Sequence, residues 1–263
     1  MATLISVLLL VTGALVIAGS IYYQMRMKQA PPPRKLAPRQ PTETAEMQQR
    51  RIVLQEVDRL RAESDADPDN PALLNELGAT LLRVNDGREA LFCLTRAVMM
   101  HRRPAYLYNL GLAHMSVGNM PAAQEAFASA REQDPSTADY WHHMAKAMRL
   151  NGDIEGAERE FAALLQGFPE HVESQVERAY CLQDSQQSAE AIAYLEACVT
   201  HAPHVASYRL ALIQVLCEQG HLPDARPHLQ WLQERGDTVQ IDAFDGDVRV
   251  SINGRPVYDG LMA

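Results

Sequence analysis

PAYLYNLGLAHMSVGNMPAAQEAFASAREQDP, residues Pro104 to Pro135, decides the fold. Leu107, Leu110 and Leu112 follow one helical pattern, and Gly118 and Asn119 interrupt it. A second amphipathic run continues through Ala123, Phe127 and Ala130 until Pro135 stops it. Apolar residues three and four apart mark the buried stripe of a helix, and a Gly-Asn pair between two such runs marks a turn. The stretch predicts a helix, a tight turn and a helix in roughly 34 residues, a period that signals stacked repeats.

The unit recurs on both sides. The small residue in the middle of each first helix is Gly78, Gly111, Ala145, Ala179 and then Ile213. The alanine early in each second helix is Ala90, Ala123, Ala157, Ala191 and Ala225, at spacings of 33, 34, 34 and 34 residues. Four residues after each comes a large one: Leu94, Phe127, Phe161, Leu195 and Leu229. Pro68, Pro135, Pro169 and Pro203 close several units, and turn signals fall at Asn85–Gly87, Gly118–Asn119, Gly152–Asp153 and Gly220–His221. Paired helices approach closely only where a small side chain admits them, and a large residue fills what remains. Each unit buries its apolar face only by stacking on the next.

These residues resemble the tetratricopeptide repeat family. Its pattern W-x2-L-G-x2-Y…A-x3-F…P is matched by Leu107, Leu110, Gly111, Ala123, Phe127 and Pro135, and again by Trp141, Met144, Ala145, Ala157, Phe161 and Pro169. The resemblance covers residues 45–236. It implies an all-α solenoid, a right-handed superhelix of helix pairs with a concave groove that takes a peptide or partner protein. The expected divisions are a degenerate half-repeat at 45–68 and five repeats at 71–103, 104–137, 138–171, 172–205 and 206–237. The fourth unit departs at its turn, Asp184–Gln187, and the fifth at Ile213, where close packing is in question.

In the family the first helix of each unit lines the groove. That implies Asn75, Tyr108, Asn109, Leu112, Met115, His142, Lys146, Arg149 and Tyr180 as partner-binding residues, apolar and aromatic early and basic in the middle. Lys146 and Arg149 suggest a partner with an acidic group or a carboxyl terminus. The clamp by which some members hold the tails of cytosolic chaperones is matched only at Asn109, so those tails are not expected ligands.

The flanks differ in kind. Leu4 to Tyr23 is 20 residues without a charge, enough to cross a bilayer as a helix. A cleaved signal peptide is the rival, but no basic residue precedes the apolar run. Arg26, Lys28, Arg34, Lys35 and Arg39 follow it, which by the positive-inside rule puts the repeats in the cytoplasm. Residues 24–44 read as a basic, proline-rich spacer. After Thr238 the period becomes two. TVQIDAF, DVRVSI and RPVY, separated by Asp245–Gly246 and Asn253–Gly254, predict a small β-meander at 238–263, packed on the end of the array or paired with another chain. In layout the chain looks like bacterial membrane-anchored assembly factors with such repeats, which sets it at the inner membrane, and less like mitochondrial import receptors.

The net charge is −9, and residues 1–44 carry five basic side chains against Glu43, so the remainder carries −13. An acidic folded region repels phosphate backbones, and nucleic acid is not an expected partner. Cys93, Cys181, Cys198 and Cys217 contain no CxxC and read as core thiols. No phosphate-binding glycine loop or nucleophile elbow is present, so neither a cofactor nor a catalytic residue is expected. His142 with Lys146 is too isolated for acid–base work, and Cys198, His201 and His204 read as a helix-end cluster rather than a metal site. The expectation is a membrane-anchored scaffold for protein–protein interaction; the alternative is a periplasmic or secreted repeat module released by cleavage.

Overall fold

The computed structural model describes residues 45–244 and 247–261. The expected span at 4–23 and the linker at 24–44 lie outside the described residues. Among those described, no helix is long and apolar enough to cross a membrane.

Among the described residues eleven helices and three strands follow in order. A leading helix α1 (Ala45–Ala66) precedes five antiparallel pairs. These are α2 (Pro71–Arg83) with α3 (Gly87–Met100), α4 (Pro104–Ser116) with α5 (Met120–Gln133), and α6 (Ala138–Leu150) with α7 (Ile154–Gly167). They continue as α8 (Val172–Asp184) with α9 (Ser188–His201), and α10 (Ala206–Glu218) with α11 (Leu222–Glu234). From α2 to α11 each helix packs on its sequence neighbour, and first helices also touch across units, α2 on α4, α6 on α8 and α8 on α10.

The turns are built alike. Asn85, Gly118, Gly152, Gln186 and Gly220 all have positive φ, between 64° and 91°. Each lets the next amide reach back to a carbonyl five residues earlier, as from Asn119 N to His114 O (2.9 Å) and Asp153 N to Met148 O (3.0 Å). This is the left-handed closure of a helix C-terminus. The following residue caps the next helix. Asp86, Asn119 and Asp153 accept from the backbone N–H groups of Glu89, Ala122 and Gly156. The fourth turn lacks glycine but keeps the conformation, with Gln186 at φ 64°.

The small and large positions meet within each unit. A β-carbon at Gly78 would stand 2.5 Å from Leu94 Cγ, and one at Gly111 2.5 Å from Phe127 Cε1. Ala145 with Phe161 and Ala179 with Leu195 are wholly buried, as are Ala90, Ala123, Ala157, Ala191 and Ala225. Ile213 is also wholly buried, in one core cluster with Ala225 and Leu229. The large side chain at the small position is thus absorbed, not expelled.

At the other end β1 (Val239–Phe244), β2 (Asp247–Ile252) and β3 (Arg255–Leu261) form an antiparallel sheet in that order. Ile241 faces Val250, and Val250 faces Tyr258, with an irregularity between Val250 and Ser251. The β2–β3 turn places Asn253 (φ 53°) and Gly254 (φ 75°) in the left-handed region, as a tight hairpin requires. The Asp245–Gly246 turn lies outside the described residues. Val250 and Ile252 are buried with Leu212, Leu216 and Leu232, so the sheet packs on the last helix pair.

Candidate protein-docking groove

The first helices α2, α4, α6, α8 and α10 touch through residues one repeat apart. Asn109 Nδ2 donates to Asn75 Oδ1 at 2.9 Å, tying α4 to α2. Tyr180 Oη donates to Gln214 Oε1 at 3.0 Å, tying α8 to α10. Tyr108 lies among Phe127, Tyr140 and His143, with ring centroids at 5.7, 5.3 and 5.2 Å. Burial, reinforced by Asp139, pushes its phenol up to about 12. His143 Nδ1 donates to the Asp139 carbonyl at 3.0 Å. Leu112 and Met115 are half-buried beside Tyr108.

Two expectations for the groove need correction. His142 does not line it. Only 4% of the residue is exposed, because it lies three positions before Ala145 and shares that inward stripe. Its ring packs 5.7 Å from Phe161. Its Nδ1 stands 2.9 Å from Ser174 Oγ, which stands 2.9 Å from His171 Nδ1. His171 Nδ1 also accepts the Ser174 backbone N–H, so it carries no proton. The serine hydroxyl therefore donates to His171, and His142 Nδ1–H donates to the serine. Burial, with the charges of His143, His171 and Lys146, pulls His142 down to about 3. A neutral, enclosed imidazole cannot share acid–base work with Lys146.

The second correction concerns the basic middle. Lys146 Nζ lies 2.5 Å from Glu177 Oε1, and Arg149 lies 3.0 Å from Glu177 Oε2 and 2.7 Å from Asp184. Glu177 is 6% exposed. Burial opposes the charge of Arg149, but the bond to Asp184 and the charge of Glu177 outweigh it and its pKa is raised. Arg149 also covers the Tyr180 ring at 5.6 Å. Two cations face two carboxylates, so this part of the face is neutral and already partnered.

Sequence reading missed the Glu177 carboxylate. Opposite charges 28 or 29 residues apart were the available signal. The same offset pairs Arg61 with Glu89, and Arg131 with Glu160 at 3.0 Å, where Trp141 Nε1 also donates to Glu160 at 2.6 Å. Burial raises the thiols of Cys93, Cys181, Cys198 and Cys217. Among the described residues no group of three His, Cys, Asp or Glu is placed to hold a metal ion.

Repeated helix pairs of one length, locked by small-on-large contacts and joined by identical left-handed turns, define a helical-repeat binding scaffold. The tetratricopeptide repeat profile matches residues 75–138, 108–172 and 144–206, together half of the chain, and the chain belongs to that family. The fold is similar to a tetratricopeptide repeat protein from Parabacteroides merdae ATCC 43184, with TM-score 0.61, 18% identity, and coverage of 73% of this chain and 75% of that one. It is also similar to PilW, a widely conserved type IV pilus biogenesis factor, with TM-score 0.59, 15% identity and coverage of 72% and 88%. A third is a thermophilic repeat protein of Thermus thermophilus, with TM-score 0.53, 18% identity and coverage of 64% and 92%. At these identities the likeness is one of fold. No curated protein matches the chain in sequence.

Proposed function

We propose that the chain is a membrane-anchored scaffold whose repeats dock a partner polypeptide on the first-helix face of units one and two. The observation that carries the reading is the Asn75–Asn109 pair beside Tyr108. Their mutual bond uses one donor and one acceptor, and the two carboxamides keep further donors and acceptors for a peptide backbone. Tyr108, Leu112 and Met115 offer a half-buried apolar floor next to them, and methionine adapts to varied side chains. An acidic group on the partner has less to meet here than the charges of Lys146 and Arg149 suggest, since Glu177 and Asp184 engage both.

The anchor is residues 4–23, and the basic residues behind them favour repeats on the cytoplasmic side of a bacterial inner membrane. Two experiments test the proposal. Protease added to intact spheroplasts is expected to spare the repeats, and digestion without lysis refutes the orientation. Asn109→Ala with Tyr108→Ala is expected to lose the partner recovered by the parent chain in a pull-down while the melting curve keeps its shape. Full recovery by that variant rules out this face.

A further inference from the structure

Seven arginine–aromatic stacks occur among the described residues, and most include a carboxylate. Arg131 over Trp141 (4.9 Å) is paired with Glu160, and Arg178 over Tyr194 (5.2 Å) with Glu158 at 2.9 Å. Arg149 over Tyr180 has Glu177 and Asp184, and Arg96 over Phe92 has Asp69 at 3.9 Å. Arg103 over Tyr106 has none, but it is a single exposed guanidinium. The last helix pair departs further. Arg209 lies 4.3 Å and Arg235 4.6 Å from the ring of Trp231. Two cations share one indole, and neither makes an ion pair with a carboxylate among the described residues.

Neutral acceptors hold Arg209 in place. Its Nη1 donates to His228 Nδ1 at 3.1 Å and its Nη2 to the Pro203 carbonyl at 3.3 Å. His228 is therefore a neutral ring with its proton on Nε2. Each Nη group keeps a second N–H. Burial, with no opposing charge, pulls the Arg209 pKa down. Arg209, His228 and Trp231 are half-buried and Arg235 is exposed, so the cluster is reachable from solvent.

We propose that Arg209, Trp231 and Arg235 form a second docking site, on the last repeat, for a partner-protein segment carrying neighbouring Asp or Glu side chains. A planar guanidinium held on an aromatic ring presents paired N–H groups to a carboxylate with little freedom left to lose. The missing counter-charge is what such a segment brings. Nucleic acid is the poorer occupant, because residues after 44 carry −13 and repel an extended polyanion. The site stands apart from the Asn75–Asn109 face and does not rest on it.

Titration of the full-length chain with acetylated tetraglutamate, followed by tryptophan fluorescence, tests the proposal against tetraglutamine and inorganic phosphate. A saturable change with tetraglutamate alone is expected, weakened about tenfold or more by Arg209→Gln and likewise by Arg235→Gln. Arg235→Gln lies at an exposed helix end and keeps the test sound if Arg209→Gln disturbs folding. Asn109→Ala is expected to leave the titration unchanged, which separates this site from the groove. The absence of a saturable response overturns the proposal. So does an equal response to tetraglutamine, tighter binding of phosphate, or an affinity that neither arginine variant alters.

Discussion

Phe127 occupies the space above Gly111 so closely that a β-carbon there would lie 2.5 Å from its ring. Phe127 is wholly buried and cannot swing aside. Gly111→Ala is therefore expected to destabilise the chain by about 1–3 kcal/mol, the usual cost of an added carbon in a filled core. Ala145 holds the same place over Phe161 in the next unit, where both are wholly buried; there the helix pair already accommodates the methyl. Urea unfolding of Gly111→Ala distinguishes the two settings. An unchanged midpoint would mean that α4 and α5 separate freely, contrary to the packing.

Gln186 holds a left-handed conformation (φ 64°) that its counterparts Gly118, Gly152 and Gly220 hold as glycine. Nothing requires a side chain there, since the residue is exposed. Gln186→Gly should stabilise by about 1 kcal/mol through relief of the left-handed penalty, less the entropy glycine adds to the unfolded chain. Thermal melting measures it, and a lower Tm for this variant contradicts the assignment of strain.

Glu177 compensates both Lys146 (2.5 Å) and Arg149 (3.0 Å) while being 6% exposed itself. Its removal leaves two cations at the α6–α8 contact with only Asp184 to share. Glu177→Ala is expected to cost about 3 kcal/mol, because breaking a buried pair leaves uncompensated charge. Adding Lys146→Met to that variant should recover part of the loss. A loss no larger than that of an exposed glutamate would show the network to be solvated.

The repeat was legible in the sequence because its determinants are local. Ala123, Phe127 and the Gly118 turn lie within one helix pair, and recurrence at 33 and 34 residues multiplies a weak local signal. The meander was legible for the same reason, since Asn253–Gly254 needs no distant partner to turn. The groove was less so. Whether Lys146 faces solvent or Glu177 depends on how far α8 is rotated about α6, which no residue of α6 records. His142 was misplaced for a nearer reason. Its offset of three from Ala145 already set it on the inward stripe, as the buried position of Phe161 beside it makes plain. Arg209 could not be read at all, because its distinction is a missing neighbour.

His142 makes stability depend on pH. Burial lowers it in the folded chain from the ordinary 6.5 to about 3, so below pH 6.5 the unfolded chain takes up a proton that the folded chain refuses. Stability is complete above pH 6.5 and falls progressively toward pH 3. This group alone should cost about 2 kcal/mol at pH 5. Burial lowers His143, His114 and His228 as well, which steepens the fall. Unfolding midpoints between pH 8 and 5 test this, and His142→Gln should flatten the slope. A parallel slope in that variant assigns the dependence to other groups.

The sheet after Thr238 is expected to act as the cap of the array. A solenoid end that lacks one leaves apolar surface in water. Here Val250 is wholly buried and Ile252 6% exposed against Leu212, Leu216 and Leu232. Val239 and Val257 pack at the margin of the same cluster. Asn253 ties the sheet to the chain leaving α11, accepting from Thr238 N at 2.8 Å and donating to Asp237 Oδ1 at 2.7 Å. Removing residues after Asp237 uncovers Leu212, Leu216 and Leu232 together. The loss should reach about 3 kcal/mol from the two buried side chains alone, with a lower Tm and association through the exposed end. Truncation also removes residues with no part in the cap, so a point variant serves as its companion. Ile252→Ala keeps both hairpins and is expected to lower stability by about 2–3 kcal/mol. A truncated chain that melts as the parent does and stays monomeric would show the last helix pair to be self-sufficient.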